Sequence, residues 1–433
     1  MMYWQEEIET LPTPKLHELQ LKRLLKSVQR AAMSPYYKKV FAENNLSVDS
    51  IKSLEDLRKF PMTTKEDMRN NYPYGLLTCS TDDIVRMHCT SGTTGNPVAV
   101  LYNRHDLDSW VNLVARSMFS VGTRNTDIFQ NSSGYGLFTG GLGFQYGAEK
   151  VGCMTIPAGA GNSRRQIKLM RDFGTTTMHA VPSYLGRLRA VFDDLGLTPQ
   201  KDTKLKRLFI GAEPHSEETR KRIEEMYGCP AYNSFGMTEM NGPGVAFECK
   251  EEKGMHMWED CYLMEIVNPQ TLEPVPDGEM GELVLTTLDR EALPLIRYRT
   301  RDLTRIIPGP CACGRTSRRI DRFQGRSDDM FIMKGCNVFP IQIERVLMRL
   351  PELGSDYLIT LGRDNGADYM LIQAELKTDA FTDNYTKLNA LCKRIATDIR
   401  DEIQVTPKVE LVDKGSLPKS DGKAVRVKEM RHL

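Results

Sequence analysis

Thr90-Ser91-Gly92-Thr93-Thr94-Gly95-Asn96-Pro97 holds the densest chemical signal in the chain. Its hydroxyls and glycines make a loop that can turn several N–H and O–H donors toward one anion, as polyphosphate binding requires. The flanking pattern is β, with Ile84-Val85-Arg86-Met87 before the loop and Val98-Ala99-Val100-Leu101 after it. The Gly-Lys-Ser/Thr ending of a P-loop is absent, which disfavours an ordinary nucleotide triphosphatase. Ordinary surface turns share this composition, so the surrounding sequence must decide.

Upstream, Leu16, Leu19, Leu24, Leu25, Val28 and Ala32 recur at helical spacing between Pro14 and Pro35, and a short helical stretch over Ser53–Phe60 leads to Pro61-Met62-Thr63-Thr64-Lys65. Downstream, Asn131–Gly147 interleaves six glycines with aromatic and aliphatic residues. It completes no GxGxxG fingerprint and reads as close backbone packing between aromatic walls, or as a glycine-tolerant helix start. Buried strands over Thr175–Pro182 and Leu205–Ile210 alternate with helices around Arg164–Arg171, Tyr184–Leu195 and Ser216–Tyr227, the pattern of a layered α/β domain. Gly211-Ala212-Glu213-Pro214 follows a strand, where ligands sit in such sheets. Tyr232-Asn233-Ser234-Phe235-Gly236-Met237-Thr238-Glu239 then supplies a stacking face, a tight turn and a Mg²⁺-competent oxygen. Strands over Met280–Thr287 and Thr304–Ile307 flank Arg297-Tyr298-Arg299-Thr300-Arg301-Asp302, an odd core strand but a plausible ribose and phosphate clamp.

From Gly325 the texture changes to a small α+β unit: a helix at Pro340–Leu350, strands at Tyr357–Leu361, Tyr369–Leu376 and Val409–Val412, and a long helix through Leu388 and Ile403. The expected fold class is therefore α/β, with a large multi-layer domain of mixed sheets over 1–326 and a small α+β domain over 327–433. With 433 residues, 40% hydrophobic, the chain can bury a sizeable core, and 58 basic against 57 acidic residues leave no global field for nucleic acid or an anionic membrane. No apolar run approaches the roughly 18 residues of a membrane span. The start Met1-Met2-Tyr3-Trp4-Gln5-Glu6-Glu7 is acidic where a signal peptide is basic, and ten scattered cysteines suit a reducing compartment, so a cytoplasmic location is expected.

The order of these pieces is more specific than any one of them. Thr90–Pro97, Tyr232–Glu239, Tyr298–Asp302, Gly325–Gly335 and Ser420–Lys423 resemble, in sequence and order, the core motifs of adenylate-forming enzymes: acyl-CoA synthetases, luciferases and peptide-synthetase adenylation domains. Ser34-Pro35-Tyr36-Tyr37 and Asn337–Glu344 are similar to the phenylacetate–CoA ligase branch. The resemblance implies ATP, Mg²⁺ and coenzyme A as reactants and cofactors, an aryl-acetic acid as substrate, and a homodimer. It places Thr90, Ser91, Gly92, Thr93, Thr94 and Gly95 on the phosphates, Gly211, Ala212, Glu213, Tyr232, Asn233, Ser234 and Phe235 around adenine, and Gly236, Thr238 and Arg326 in the ATP site with them. Asp302 falls on the ribose, Glu239 on Mg²⁺, and Lys423 between carboxylate and phosphate. Asp328 matches the hinge about which the small domain rotates, and Gly335 the approach of the pantetheine thiol. Tyr135, Phe138, Gly143 and Phe235 are candidates for the aryl pocket. One departure stands out: the first motif ends Asn96-Pro97-Val98, where many relatives carry lysine.

Cys249, His256, Cys311 and Cys313 form the donor set of a closed structural Zn²⁺ site, with Cys261 an alternative ligand. Two rival readings stay open: an adenylation enzyme that hands its acyl group to a carrier protein, and a nucleotide-binding regulatory protein. Intact Glu239, Asp302 and Lys423 speak against the second.

Overall fold

The computed structural model describes residues 2–90, 97–364, 367–377, 385–418 and 424–431. Ser91–Asn96 of the opening loop and Lys423 lie outside the described residues.

The scaffold is a nine-stranded sheet in two regimes. Five strands run parallel, in the spatial order Met154–Ile156, Ile128–Asn131, Thr177–Ala180, Arg207–Gly211 and Ala231–Met237. The chain then turns back, and Gly242–Glu248, Met255–Met257, Arg319–Ile320 and Ile306–Ile307 complete the sheet antiparallel. The parallel strands are short apolar runs such as Leu208-Phe209-Ile210, because helices cover them. Those crossover helices carry legible end signals. Asn162 caps Ser163–Phe173 and Gly174 stops it at φ 68°; Ser216 caps Glu217–Tyr227 and Gly228 stops it at φ 67°.

Thr13–Ala31 forms the expected amphipathic helix and buries Leu16, Leu24, Val28 and Ala31, each leucine contributing about 1.5–3 kcal/mol. The stretch near Ser53–Phe60 is a 3₁₀ helix, Leu54–Lys59. The glycine-rich segment becomes the helix Thr139–Val151, so the helix reading holds for its second half. Its glycines let it press against Arg104–Ser120: a Cβ on Gly143 would lie 2.6 Å from Trp110 and Pro243, and one on Gly147 2.5 Å from Val114.

The arginine-rich run differs from expectation. Tyr298–Thr304 is itself a strand, paired in a three-stranded antiparallel sheet with Gly281–Thr287 and Tyr262–Val267. Arg297, just before the strand, and Arg299 within it are tolerated because carboxylates of the same sheet meet them, part-buried Glu265 at 2.9 Å and buried Glu282 at 2.8 Å. These two guanidiniums are spent on the fold, not free to clamp a nucleotide.

The carboxy-terminal unit has its own core, from Phe331 to Val405. Its sheet runs Lys408–Val412, Ala367–Leu376, Leu353–Asp364, Val427–Glu429, with the helices Pro340–Met348 and Tyr385–Ile403 beside it. Among the described residues no helix is long and apolar enough to cross a membrane.

Candidate active site

Strands Arg86–Cys89 and Ala99–Tyr102 form the hairpin that carries the opening loop. Thr90 closes its base: its N–H donates to the Val98 carbonyl at 3.0 Å, and its hydroxyl accepts from the Val98 N–H at 3.0 Å. That base leans on the glycine-rich segment, where the Leu137 carbonyl accepts from the Cys89 N–H at 3.0 Å.

The strand Ala231–Met237 ends in a single 3₁₀ turn, Thr238–Met240, which leaves Glu239 only 3% exposed. A buried carboxylate requires partners. Tyr298 donates its hydroxyl to Oε1 at 3.3 Å, and the Lys65 ammonium lies 3.4 Å from the same oxygen. Lys65 arrives by strand addition. Thr63 donates its N–H to the Arg297 carbonyl and its carbonyl accepts from the Arg299 N–H, and Thr64 then caps the helix Lys65–Asn70 through a capping box with Asp67. The sequence reading gave Lys65 no role. Its only local signal is a helix start, which does not say where the ammonium points.

Asp302, on the same strand as Tyr298, meets Arg326. Their backbones form a β-bridge and their side chains approach to 3.5 Å. Burial pushes the Tyr298 phenol well above its ordinary pKa; Glu239 and Asp302 add to the shift, while Arg326 opposes it. The Tyr298 hydroxyl on Glu239, and the Asp302–Arg326 pair farther along the same strand, thus bring residues of three separate motifs to one strand.

At the carboxyl end of the neighbouring strand, Gly211 lies in register with Ser234, and Ala212 adopts φ 67°. The Glu213 carboxylate turns back to accept from the Ser183 N–H and hydroxyl, and burial raises its pKa. Ser234 donates to the Ile210 carbonyl, Asn233 donates its N–H to Glu248, and Tyr232 packs into the large core. Phe235 is half-buried against Phe323, ring centroids 4.5 Å apart; Gly236 and Thr238 continue the same edge.

Of the proposed aryl pocket, Tyr135 is held by Asn131 at 3.2 Å, Phe138 is 52% exposed, and Gly143 is wedged in the helix contact already described. Beneath them His179 stacks on Phe144 at 3.9 Å, and burial drives its pKa down to about 3, so the ring is neutral. Its Nδ1 lies 2.7 Å from the Ser133 hydroxyl.

Asp328 is exposed and paired with Arg326 at 2.8 Å, in the polar segment between the two cores. Gly335 has a local reason to be glycine: with Lys334 it makes a two-residue hairpin turn joining Phe331–Met333 to Cys336–Val338, φ 52° and 82°.

A second constellation lies away from these residues. The donor atoms of Cys249, His256, Cys311 and Cys313 all fall within 4.8 Å of one another. Cys249 and Cys311 sulfurs are 3.7 Å apart, close to the ~3.8 Å that two 2.3 Å Zn–S bonds subtend in a tetrahedron. Cys313 sulfur is 3.3 Å from His256 Nε2, while His256 Nδ1 faces the Ser317 carbonyl at 3.0 Å, which favours the tautomer whose Nε2 lone pair is open to a metal. A hydrogen bond from Cys249 and the neighbouring His256 hold the Cys313 thiol well below its usual range, so a thiolate is already favoured there. Cys261 is not part of this group. Its sulfur sits between Arg23 and Asp260, which corrects its candidacy as a ligand.

Residues 18–287 match the AMP-binding enzyme family and residues 335–431 the AMP-binding enzyme C-terminal domain. The chain is 42% identical to the phenylacetate-coenzyme A ligase of Pseudomonas putida, over 98% of this chain and 97% of that one. It is 41% identical to that of Escherichia coli (strain K12), over 99% and 98%. The chain belongs to the phenylacetate–coenzyme A ligase family. Among solved structures, a 2-hydroxyisobutyryl-CoA ligase in the postadenylation state, in complex with R3-HIB-AMP, is similar with TM-score 0.94 and 29% identity, covering 100% of this chain and 93% of that one. The same ligase in the thioester-forming state, with 2-HIB-AMP and CoA, is similar with TM-score 0.74 at 30% identity and the same coverage. The two domains of this family member are therefore arranged as in the first of these structures.

Proposed function

We propose that the chain activates phenylacetate or a related aryl-acetic acid with ATP and transfers the acyl group to coenzyme A. A carboxylate oxygen attacks the α-phosphorus, the bond to the bridging oxygen breaks, and pyrophosphate leaves. The coenzyme A sulfur then attacks the acyl carbon of the adenylate, and AMP departs with the electron pair. The observation that carries this reading is the contact of Glu239 with Tyr298 and of Arg326 with Asp302 along one strand, with the hairpin strand Ala99–Tyr102 alongside through the Tyr102 hydroxyl on the Asn241 carbonyl.

The first step brings a carboxylate against a polyanion, so cations and donors must neutralise charge as it shifts. Glu239 fits a Mg²⁺ ligand, being a buried carboxylate that among the described residues pairs with the half-exposed Lys65 ammonium. Bound there, Mg²⁺ would supply Lewis-acid neutralisation of the phosphates. Lys65 is well placed to serve them as the cation that the first motif lacks at Asn96. Asp302 accepts the ribose hydroxyls, and Phe235 offers its ring to adenine. The Glu213 carboxylate is engaged by Ser183, so any contribution of Gly211–Glu213 to adenine binding comes from the backbone. Glu239→Gln is expected to lower pyrophosphate release by about 100-fold at the Mg²⁺ concentration that half-saturates the wild type, with the deficit eased by higher Mg²⁺; stopped-flow pyrophosphate detection measures both.

We place the domain boundary at 326/327, with Asp328 as hinge. Asp328→Pro fixes φ where rotation needs freedom. It is expected to retain adenylation and lose thioester formation by at least about 10-fold. Equal loss of both steps would count against the hinge. The four-residue cysteine and histidine cluster is proposed to hold one structural Zn²⁺.

The substrate class is tested by coenzyme A consumption with phenylacetate, its hydroxylated analogues, indole-acetate and benzoate. Turnover with an aryl-acetic acid and mass-spectrometric detection of its thioester support the reading. Adenylate formation without any thioester would favour transfer to a carrier protein.

A further inference from the structure

The two domains hold each other through carboxylates given in both directions. From the small domain, Glu344 on the helix Pro340–Met348 is 8% exposed and reaches the start of the large-domain helix Glu217–Tyr227. There it accepts from the Ser216 N–H at 3.0 Å and from the Thr219 hydroxyl, while Tyr357 of its own domain donates to its other oxygen at 3.0 Å. From the large domain, Glu213 sits at the start of the helix Pro182–Asp194 and accepts from Ser183. The same carboxylate takes the N–H of Ala424 in the small domain at 3.3 Å. Arg222 adds a third tie, donating to the Leu350, Leu353 and Gly354 carbonyls. These contacts frame a cleft of about 470 Å³ that Asp328 also lines.

Each carboxylate lies in the positive field of a helix start and makes charge-assisted bonds out of water, so neither is a casual surface contact. Both bridge the domains, so rotation of the small domain must break them. Ala424 directly follows Lys423 in the chain.

We propose that Glu213 and Glu344 are positioning residues that hold the small domain in the orientation serving adenylation, so that they favour the first half-reaction at the expense of the second. This rests on the functional reading above. Neither residue touches a reacting atom; each acts by setting how long this orientation persists.

The test separates the half-reactions in the full-length chain. Pyrophosphate release is followed in a single turnover with phenylacetate and no coenzyme A, and thioester formation is followed from supplied phenylacetyl-adenylate and coenzyme A. Losing charge-assisted bonds in Glu344→Gln is expected to slow the first by about 10-fold and to leave the second unchanged or faster. Ser183→Ala, which removes one donor that holds the Glu213 carboxylate, is expected to give a smaller split in the same direction. Thr219→Val, which removes a single hydroxyl, gives a smaller split in the same direction and keeps the test open if a carboxylate variant fails to fold. Equal loss in both steps, or no change in either, overturns the proposal. If the wild type releases no pyrophosphate with any aryl acid, the functional reading fails instead. The ties are then read by small-angle scattering, where Glu344→Gln must expand the chain relative to wild type, and an unchanged profile overturns them.

Discussion

Lys423→Ala is expected to lower acyl-adenylate formation by about 10²–10³-fold, the typical cost of removing one preorganised charge-stabilising group. The attacking carboxylate and the α-phosphate are both anionic, and charge moves between them as the bond forms. A compact ammonium on a flexible stem can follow that movement, which a fixed dipole cannot. The family resemblance assigns this task to Lys423, and the residue after it is held against the large domain by Glu213. Thioester formation from supplied acyl-adenylate is expected to stay within about 3-fold of wild type, because AMP is already the leaving group and needs no new phosphate contact. Quenched-flow measurement of each step checks both halves. A uniform loss would show that the lysine supports the fold or both reactions.

Removal of one ligand from the cysteine and histidine cluster is the second large effect. In Cys313→Ser the bound zinc is expected to fall from about one per chain to near none, because closed structural sites depend on the full donor set. Stability should fall with it. Cys249 and Cys311 lie 62 positions apart in the chain. Tying ends at such a separation restricts the unfolded state by about 4 kcal/mol on the loop-closure estimate. For a chain of this size that is a shift of roughly 4–5 °C in midpoint. The cluster joins the end of the strand Gly242–Glu248, the strand Met255–Met257 and the loop before Arg319–Ile320, so its loss loosens the antiparallel half of the main sheet first. Metal analysis with calorimetry reads both effects. Wild-type protein without zinc, and as stable as the variant, would refute the assignment.

Local pattern was enough for the crossover helices, because caps such as Ser216 and stops such as Gly174 and Gly228 are written within a few residues of the elements they bound. It failed at Tyr298–Thr304. Arg299 reads as solvated unless its partner is known, and that partner, Glu282, lies 17 positions earlier on a neighbouring strand. Lys65 was missed for the same reason: Thr63 must pair with Tyr298 before the ammonium can face Glu239. Gly143 shows the converse. An aromatic-rich glycine segment suggested a ligand wall, yet the missing side chain there admits Trp110 and Pro243 of the protein itself. The sequence singled out Glu213 and Glu344 for other reasons, but their bridging of the domains had no signal in it, since a glutamate that accepts from a distant helix start has the same neighbours as one in water.

The claim on which the rest depends is that these separated motifs surround one ATP and pass its AMP group to an aryl acid. Incorporation of labelled pyrophosphate into ATP by the full-length chain, without coenzyme A, tests it directly. The account predicts exchange that requires Mg²⁺ and an aryl acid, with phenylacetate among the active acids, and that falls about 100-fold or more in Lys423→Ala. Folded wild-type protein that catalyses no exchange with any aryl acid would contradict it.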